Sequence, residues 1–272
     1  MSKVRKLVLA VLPVAMLGLS SSGLAQVAAV DLQTGEQPPV EKMTLTAGIG
    51  AAVVPEFEGS SDFTGAPVLY FRGLWPRGQY VQFLGTTLMG NVLPSKTWQV
   101  GPLLRFRGAR DDVRNDRVDA MEKVDAAAEL GAFAGFQYQH WNAKVDAAQD
   151  VANGHEGFLL TLSGGYTLPV GSAASVNLSL STTYADQDYM QAYFGVSEAD
   201  ADSSELDRYD ADAGFKDVSA TLLGMYRYTP NWGVMAAARL TSLLGDAADS
   251  PIVDSEGSVT QLLVGAAITY TF

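Results

Sequence analysis

The residues best suited to chemistry in this sequence are its two histidines, His140 and His155. His155 stands in the segment NGHEG, close to Asp150 and Glu156, and a histidine beside an acid can serve as a general base. However, the sequence has no G-x-S-x-G segment, and spacing pairs no serine with either histidine. We therefore interpret His155 as a polar turn residue, and His140 as part of another turn, beside Trp141. The sequence predicts no enzyme and no catalytic residue.

A second candidate is the acidic segment EADADSSELDRYDADAG at 198–214, in which seven carboxylates accompany Arg208. Acidic loops can bind calcium, but this one lacks the D-x-D-x-D-G spacing with a glutamate at the twelfth position. The chain has no cysteine, which excludes disulfides, thiol chemistry and a lipid-modified cysteine, and no Cys/His cluster has zinc spacing. We interpret 198–214 as a solvated external loop that shares divalent ions with lipopolysaccharide, and we predict no metal site and no cofactor.

The net charge of −12 argues against a nucleic-acid partner, because phosphates require a basic face. Residues 1–25 are typical of a secretory signal peptide, with a basic start, an apolar stretch of 13 residues from 7 to 19, and a cleavage site after Ala25. An uncleaved anchor helix is the alternative, but 13 residues are short for a bilayer span. Cleavage would leave 15 Lys and Arg of the original 18 against 30 Asp and Glu, a net charge near −15. Residues 26–43, with two adjacent prolines, are predicted to form a flexible periplasmic leader.

The elements that must position these side chains are β-strands. Segments such as FLLTLSGGYTL at 158–168 and SVNLSLSTTY at 175–184 alternate large apolar residues with small or polar ones over eight to fifteen positions. That length suits tilted membrane strands, and no later stretch is apolar enough for a membrane helix. Residues 44–272 are therefore predicted to form a transmembrane antiparallel up-and-down β-barrel. The alternative is a soluble β-sandwich or a lipocalin-like barrel, whose outer surface should be polar.

The connections between these strands alternate in length, as in outer-membrane barrels with short periplasmic turns and long external loops. Both chain ends of such a barrel face the periplasm, so the number of strands must be even. Dividing 79–93 into two short strands with a bend near Gly85 gives twelve, and ten is the fallback. The short connections are 76–78, 140–142, 170–174 and 229–232, and the long ones are 55–66, 108–123, 186–213 and 245–257.

If the apolar side chains of each strand face lipid, the side chains at the alternate positions, which we call the opposite parity, line the lumen. Arg105 and Arg107 precede one long loop and Asp125 and Glu129 follow it, so the hairpin should bring them together. Buried charges must pair or stay hydrated. Ion pairs would plug the lumen, and a narrow polar channel is the competing interpretation. The predicted lumen charges are Arg72, Arg105, Arg107, Asp125, Glu129, Lys144, Asp146, Asp150, Asp217, Arg227 and Arg239.

The segment GAAITYTF at the end of the sequence is still alternating at its last residue. Ile268, Tyr270 and Phe272 share one parity, which is the predicted lipid-facing one. An outward aromatic final residue resembles the C-terminal signal that the outer-membrane assembly machinery recognises. We therefore predict that this strand closes the barrel onto the first one and carries that signal.

Several stretches resemble the MipA/OmpV family of outer-membrane proteins. They are GIGAAVVPEFEGSSDF from residue 48, YMQAYFGVS at 189–197, YDADAGFKDVSA at 209–220, LLGDAADSPIV at 243–253, and the closing GAAITYTF. They occur in the family's order from residue 48 to 272.

The resemblance implies an outer-membrane barrel without catalytic residues, surrounded by lipid and lipopolysaccharide. It also implies a scaffold that joins a membrane-bound lytic transglycosylase to a bifunctional peptidoglycan synthase, a penicillin-binding protein. Other members are described as porin-like, adhesive or antigenic surface proteins, so a narrow channel and a surface barrel remain alternatives. The family offers no partner-binding motif that could be transferred residue by residue.

Overall fold

The computed structural model describes residues 41–272; the predicted signal peptide, its cleavage site at Ala25 and most of the predicted leader lie outside this range. Every described strand pairs antiparallel with its sequence neighbours, and β1 pairs with β12, from Thr46 opposite Thr271 to Val53 opposite Val264. The predicted twelve-stranded antiparallel barrel is thus confirmed. The strands are β1 Thr44–Pro55, β2 Phe63–Leu74, β3 Tyr80–Leu84, β4 Thr87–Asn91, β5 Trp98–Arg107, β6 Ala127–Tyr138, β7 Trp141–Asp150, β8 Phe158–Val170, β9 Ala174–Ala185, β10 Gly214–Arg227, β11 Trp232–Leu243 and β12 Thr260–Thr271.

The division of 79–93 into two short strands is also confirmed. β3 and β4 pair from Tyr80 opposite Asn91 to Leu84 opposite Thr87, and Gly85 turns the chain with φ +59°. This tight bend lies at the same end of the barrel as the long loops. The five short turns lie at the opposite end, together with the start of β1 and the end of β12.

The interior is filled by side chains of alternating strand positions. One apolar cluster runs along the inner wall from Leu84 on β3 to Leu223 on β10 through residues of β2, β12 and β11, an arc of six of the twelve strands. In a second cluster the rings of Tyr80 and Phe133 stack with centroids 6.4 Å apart. Glycines on the inward face allow neighbouring strand backbones to lie close to them. A Cβ on Gly50 would lie 1.9 Å from the carbonyl oxygen of Ala266.

Above the strands, the long loops fold into a cap with its own apolar core. Its main helix has a buried stripe at i, i+1, i+4 and i+5, formed by Tyr189, Met190, Tyr193 and Phe194. The stripe packs against residues from the other long loops, including Val124 and Val253. No helix among residues 41–272 has the length and apolar character needed to cross a membrane. The helices are α1 Asp116–Asp119, α2 Gln187–Phe194, α3 Glu198–Ser204, α4 Asp246–Asp249 and α5 Pro251–Asp254.

The segment 198–214 is only partly the solvated loop expected from its charge. Its first seven residues form α3, and Ser197 and Asp200 cap that helix by each accepting a backbone N–H of the other. Asp200 is buried and also accepts the backbone N–H of Glu122 at 2.6 Å. Burial alone would raise the pKa of Asp200, but these hydrogen bonds hold it below the ordinary value. The other six carboxylates of the segment are exposed.

Candidate functional site

The most concentrated group of functional side chains lies inside the barrel, directly beneath the cap. Arg105 on β5 stands opposite Glu129 on β6 in the strand register, and its Nη1 donates to Oε2 of that carboxylate at 3.1 Å. Arg107, two residues farther along β5, donates from Nε to the other oxygen at 2.7 Å. Glu129 is completely buried, so its charge depends on these two guanidinium groups for compensation.

Strand β7 extends this group of charges. Arg105 donates from Nη2 to Oδ2 of Asp146 at 3.2 Å, and Lys144 lies 2.7 Å from Oδ1 of the same carboxylate. The alternation of β7 points both residues inward, because they stand two positions apart. Arg105 is therefore shared between two carboxylates on different strands, which ties β5, β6 and β7 together inside the lumen.

His155, expected to be a polar turn residue, is instead buried in this group of charges. Its Nδ1 accepts the backbone N–H of Gly157 at 3.0 Å, so the ring proton resides on Nε2, which lies 3.3 Å from Glu129 Oε1. Asp150 accepts the backbone N–H of His155 at 2.9 Å and so holds this loop in place. Both ring nitrogens are occupied, and the Tyr189 ring packs edge-on at 4.9 Å. The side chain is held as a structural hydrogen-bond donor.

A second set of charges joins β10 to the cap. A bulge between Phe215 and Asp217 turns two consecutive side chains, Lys216 and Asp217, into the interior. Lys216 donates to Asp217 Oδ2 at 2.7 Å and to Glu58, which comes from the loop between β1 and β2. Tyr189 of α2 donates its hydroxyl to the other oxygen of Glu58 at 2.5 Å.

Burial and charge set the protonation of the two cap residues in this set. Burial alone would raise the pKa of Glu58, but the Lys216 ammonium and the Arg107 guanidinium outweigh it and hold that pKa below the ordinary value. Burial raises the pKa of Tyr189 well above the ordinary value, so the phenol remains a donor. We call Glu58, Tyr189 and Lys216 the cap latch, because they join two long loops to a barrel strand.

A cavity of about 70 Å³ lies between the two sets of charges. Its lining includes Arg105, Asp146, Lys216 and Asp217, and also hydroxyl groups such as that of Thr183, which stands opposite Asp217 in the strand register. Asp217 Oδ1 and Arg105 Nε have no hydrogen-bond partner among the described residues. A polar cavity of this size can hold a few water molecules, which would satisfy such atoms.

The remaining predicted lumen charges divide into two groups. Arg72 faces inward, donates to Gln82 and lies over the Tyr80 ring, and Arg239 faces inward on β11. Asp125 is a correction, whereas Arg227 has the inward parity of β10. Asp125 is exposed, because β6 begins only at Ala127 and leaves it in the loop. Arg227 is exposed at the end of β10, where it donates to the carbonyl oxygen of Ser172 in the neighbouring turn.

The three residues proposed as the assembly signal project outward on β12. Ile268 and Phe272 are exposed, and Tyr270 packs against Trp232 with ring centroids 4.9 Å apart. The backbone N–H of Phe272 donates to the carbonyl oxygen of Leu45 at 2.9 Å, so the last residue is held against the first strand.

Sequence reasoning did not single out Glu58, Lys216 or Tyr189. One signal for Lys216 was available, because two adjacent charged residues inside an alternating strand cannot both face one side without a bulge. A signal for Tyr189 was the helical spacing of apolar residues in 189–194, which lay within a segment interpreted as a polar loop. Glu58 had no signal of its own, because an acid in a loop is ordinarily solvated.

Comparison with known proteins agrees with this architecture. The family model described as MltA-interacting protein MipA matches residues 47–272. YiaT of Escherichia coli O157:H7, named as a candidate outer membrane protein, is 30% identical over 223 residues, covering 79% of this chain and 87% of its own. Outer membrane protein OmpV of Vibrio cholerae is 27% identical, covering 72% and 71%. The MltA-interacting protein of Escherichia coli K12 is 23% identical, covering 85% and 90%.

Proposed function

The chain belongs to the MltA-interacting protein MipA family and is an outer-membrane β-barrel, and on that premise we propose that it is a non-catalytic scaffold for peptidoglycan-remodelling enzymes. The partners we propose are a lytic transglycosylase and a bifunctional synthase of the penicillin-binding type. The name of the Escherichia coli relative, an interacting protein, supports this proposal. Lipid, lipopolysaccharide and the assembly machinery complete the proposed set of partners.

The observation that carries the proposal is the filled interior. Apolar clusters and ion pairs occupy the inner wall, and the cap, fastened by the cap latch, covers the external mouth. A barrel packed in this way leaves its outer surfaces, rather than a pore, as the parts available for function. The same packing supports the absence of catalysis, because both nitrogens of His155 are engaged and Glu129 is held by two arginines.

The short turns limit how a large enzyme can be held. A stable protein interface buries roughly 1,200–2,000 Å² in total, and turns such as Gln139–His140 offer little of that area. We therefore propose that residues 26–43, which precede β1 in the sequence, supply part of the contact.

The test is a crosslinked pull-down of the tagged mature protein from intact envelopes, read by mass spectrometry. We expect a lytic transglycosylase in the eluate and its loss when residues 26–43 or the short turns are altered. An eluate that contains only lipopolysaccharide and abundant porins would contradict the scaffold. The matched control alters the external loop 198–214, which should leave capture unchanged.

A second candidate function is a narrow channel, and one observation favours it. Asp217 Oδ1, Arg105 Nε and both polar atoms of the Asn142 amide are buried without partners among residues 41–272, which favours a hydrated interior. A channel predicts an ionic current whose selectivity changes when Arg105 and Arg107 are neutralised. The scaffold predicts no current.

A further inference from the structure

The two ends of the barrel differ in charge. The long loops carry most of the acidic residues of the described chain. At the end with the short turns, Glu41 is the one acid among residues 41–272, whereas Lys42, Arg77, Lys96 and Arg227 are all exposed. In an outer-membrane barrel this basic end faces the periplasm.

Two of these basic residues lie on turns whose backbones pack against each other. Arg77 lies in the turn between β2 and β3, and Lys96 lies in the turn between β4 and β5. The two turns pack so closely that a Cβ on Gly78, whose φ is +96°, would lie 2.3 Å from the carbonyl oxygen of Ser95 and 3.4 Å from the backbone nitrogen of Lys96. The positions of the two side chains are thus linked through the backbone.

Asn91 fastens the two turns together. Its Nδ2 donates to the carbonyl oxygen of Gly78 at 2.8 Å, and its Oδ1 accepts the backbone N–H groups of Leu93 and Val100 at 3.1 and 3.0 Å. Asn91 is almost completely buried, so these bonds are protected from water. We call the turns 75–79 and 92–97 the basic platform.

The platform carries two exposed basic residues and no acid on either turn. Neither Arg77 nor Lys96 forms an ion pair within the described part of the chain. Exposed like charges on adjoining turns create a local positive potential that attracts an anion. The platform is small, which suits repeated weak contacts with a polymer better than one large protein interface.

We propose that the basic platform binds the carboxylates of peptidoglycan stem peptides, so that the barrel contacts the cell wall directly. Peptidoglycan is the anionic polymer that lies below this face of the membrane. Trp75 and Trp98 are exposed where the strands meet the turns and mark the lipid interface, and both basic residues lie beyond them along the chain. The basic side chains are complementary in charge to the stem-peptide carboxylates, and the vesicle comparison below tests phospholipid head groups as the other anionic ligand. The contact goes beyond the scaffold function and needs no enzyme partner.

The test is co-sedimentation of the purified full chain, in detergent micelles, with isolated sacculi. We expect the wild type to sediment and its bound fraction to fall as salt rises, because exposed charges are screened. The double variant Arg77→Glu, Lys96→Glu should lose binding at least fivefold. The control Lys123→Glu, Arg208→Glu makes the same charge change in the cap and should sediment as the wild type does.

Two results would overturn the proposal. One is a wild type that stays in the supernatant at low salt, and the other is a platform variant that sediments as well as the wild type. Vesicles with and without phosphatidylglycerol provide the comparison with lipid. Loss of vesicle binding alone in the platform variant, with sacculus binding retained, would assign the platform to lipid and reject the wall contact. Sacculus binding without capture of a transglycosylase would reject the scaffold and leave this contact standing.

Discussion

The Nε atom of Arg107 lies 2.7 Å from Oε1 of Glu129, a carboxylate with no solvent exposure. The contact joins neighbouring strands just below the cap, and Arg105 and His155 hold the same carboxylate from other directions. Burying any one of these charges without its partners would cost free energy, so the charges are stable in the interior only as a group. The interior is therefore a connected group of charges whose members should respond strongly to single substitutions.

Replacing Glu129 with glutamine should destabilise the barrel strongly. The change leaves Arg105 and Arg107 buried without their shared counter-charge, which typically costs about 3–5 kcal/mol. The measurement is the urea concentration at the midpoint of unfolding in detergent. Unfolding is monitored by the shift between the folded and unfolded bands on gels. Asp125→Asn is the matched control, because Asp125 is an exposed carboxylate in the same hairpin, and it should change stability by less than ~0.5 kcal/mol. Equal midpoints for the two variants would contradict the burial of Glu129.

Tyr189→Phe should loosen the cap without unfolding the barrel. It removes the hydrogen bond to Glu58 and leaves a buried acceptor unsatisfied, at a cost of about 1–3 kcal/mol. Limited proteolysis should cut 186–213 faster in this variant than in the wild type, while the strands stay protected. Tyr228→Phe changes an exposed tyrosine in a short turn and serves as the control. Cleavage at the wild-type rate would show that the cap latch does not hold the cap.

The cap latch should weaken in acid. The pKa of Glu58 is lower in the folded protein than its ordinary value of 4.5, so its stabilising effect is fully present above pH 4.5. That effect declines below pH 4.5 and is lost as the pH falls through the folded pKa. Proteolysis of the cap with an acid-tolerant protease should therefore accelerate below pH 4.5. In Glu58→Gln this component should be absent, and an identical pH profile in the two proteins would disprove the assignment.

Gly50→Ala should prevent normal closure of the barrel. The added Cβ would meet the Ala266 carbonyl oxygen at 1.9 Å, and that atom belongs to the paired strand β12 and cannot move aside freely. After a refolding reaction, only a small fraction of the variant should migrate as the folded band on a gel. Gly65→Ala, on the neighbouring strand β2, meets no atom within 4 Å and should refold normally. Normal refolding of both variants would show that the β1–β12 contact is looser than described.

Phe272→Ala should reduce assembly in cells more than stability in detergent. Phe272 is 68% exposed, so few packing contacts are lost, whereas the outward aromatic end proposed as the assembly signal disappears. The measurement compares the folded fraction in outer membranes with the refolding yield of the purified chain. Leu262→Ala, another outward residue of β12, is the control. A variant that assembles at the wild-type level would remove Phe272 from the signal.

The strands were predictable because alternation with period two is a local property. The bend at Gly85 followed from the requirement for an even number of strands, which is a global constraint on a closed barrel. The cap was not predicted, although 189–194 has helical spacing, because the surrounding acidic residues suggested a solvated loop. A helix whose one face packs on other loops can be polar on its remaining surface, so composition alone does not distinguish the two cases.

The interior charges were only partly predictable, for reasons of position. Parity places Arg105 and Glu129 inside, but it cannot fix where a strand begins, and Asp125 falls two residues before β6. Lys216 enters the lumen through a bulge that shifts the parity of β10. His155 reaches Glu129 because its loop folds back under the cap, a tertiary contact with no local sequence signal.

Single-channel conductance of the purified barrel in a planar bilayer tests most directly whether the barrel is a filled scaffold or a pore. With the interior packed and the cap fastened by Glu58 and Tyr189, we predict no stepwise current for the wild type at neutral pH. Steady current steps in the wild type, with an ion selectivity that changes when Arg105 and Arg107 are replaced by glutamine, would contradict the filled barrel and establish the channel.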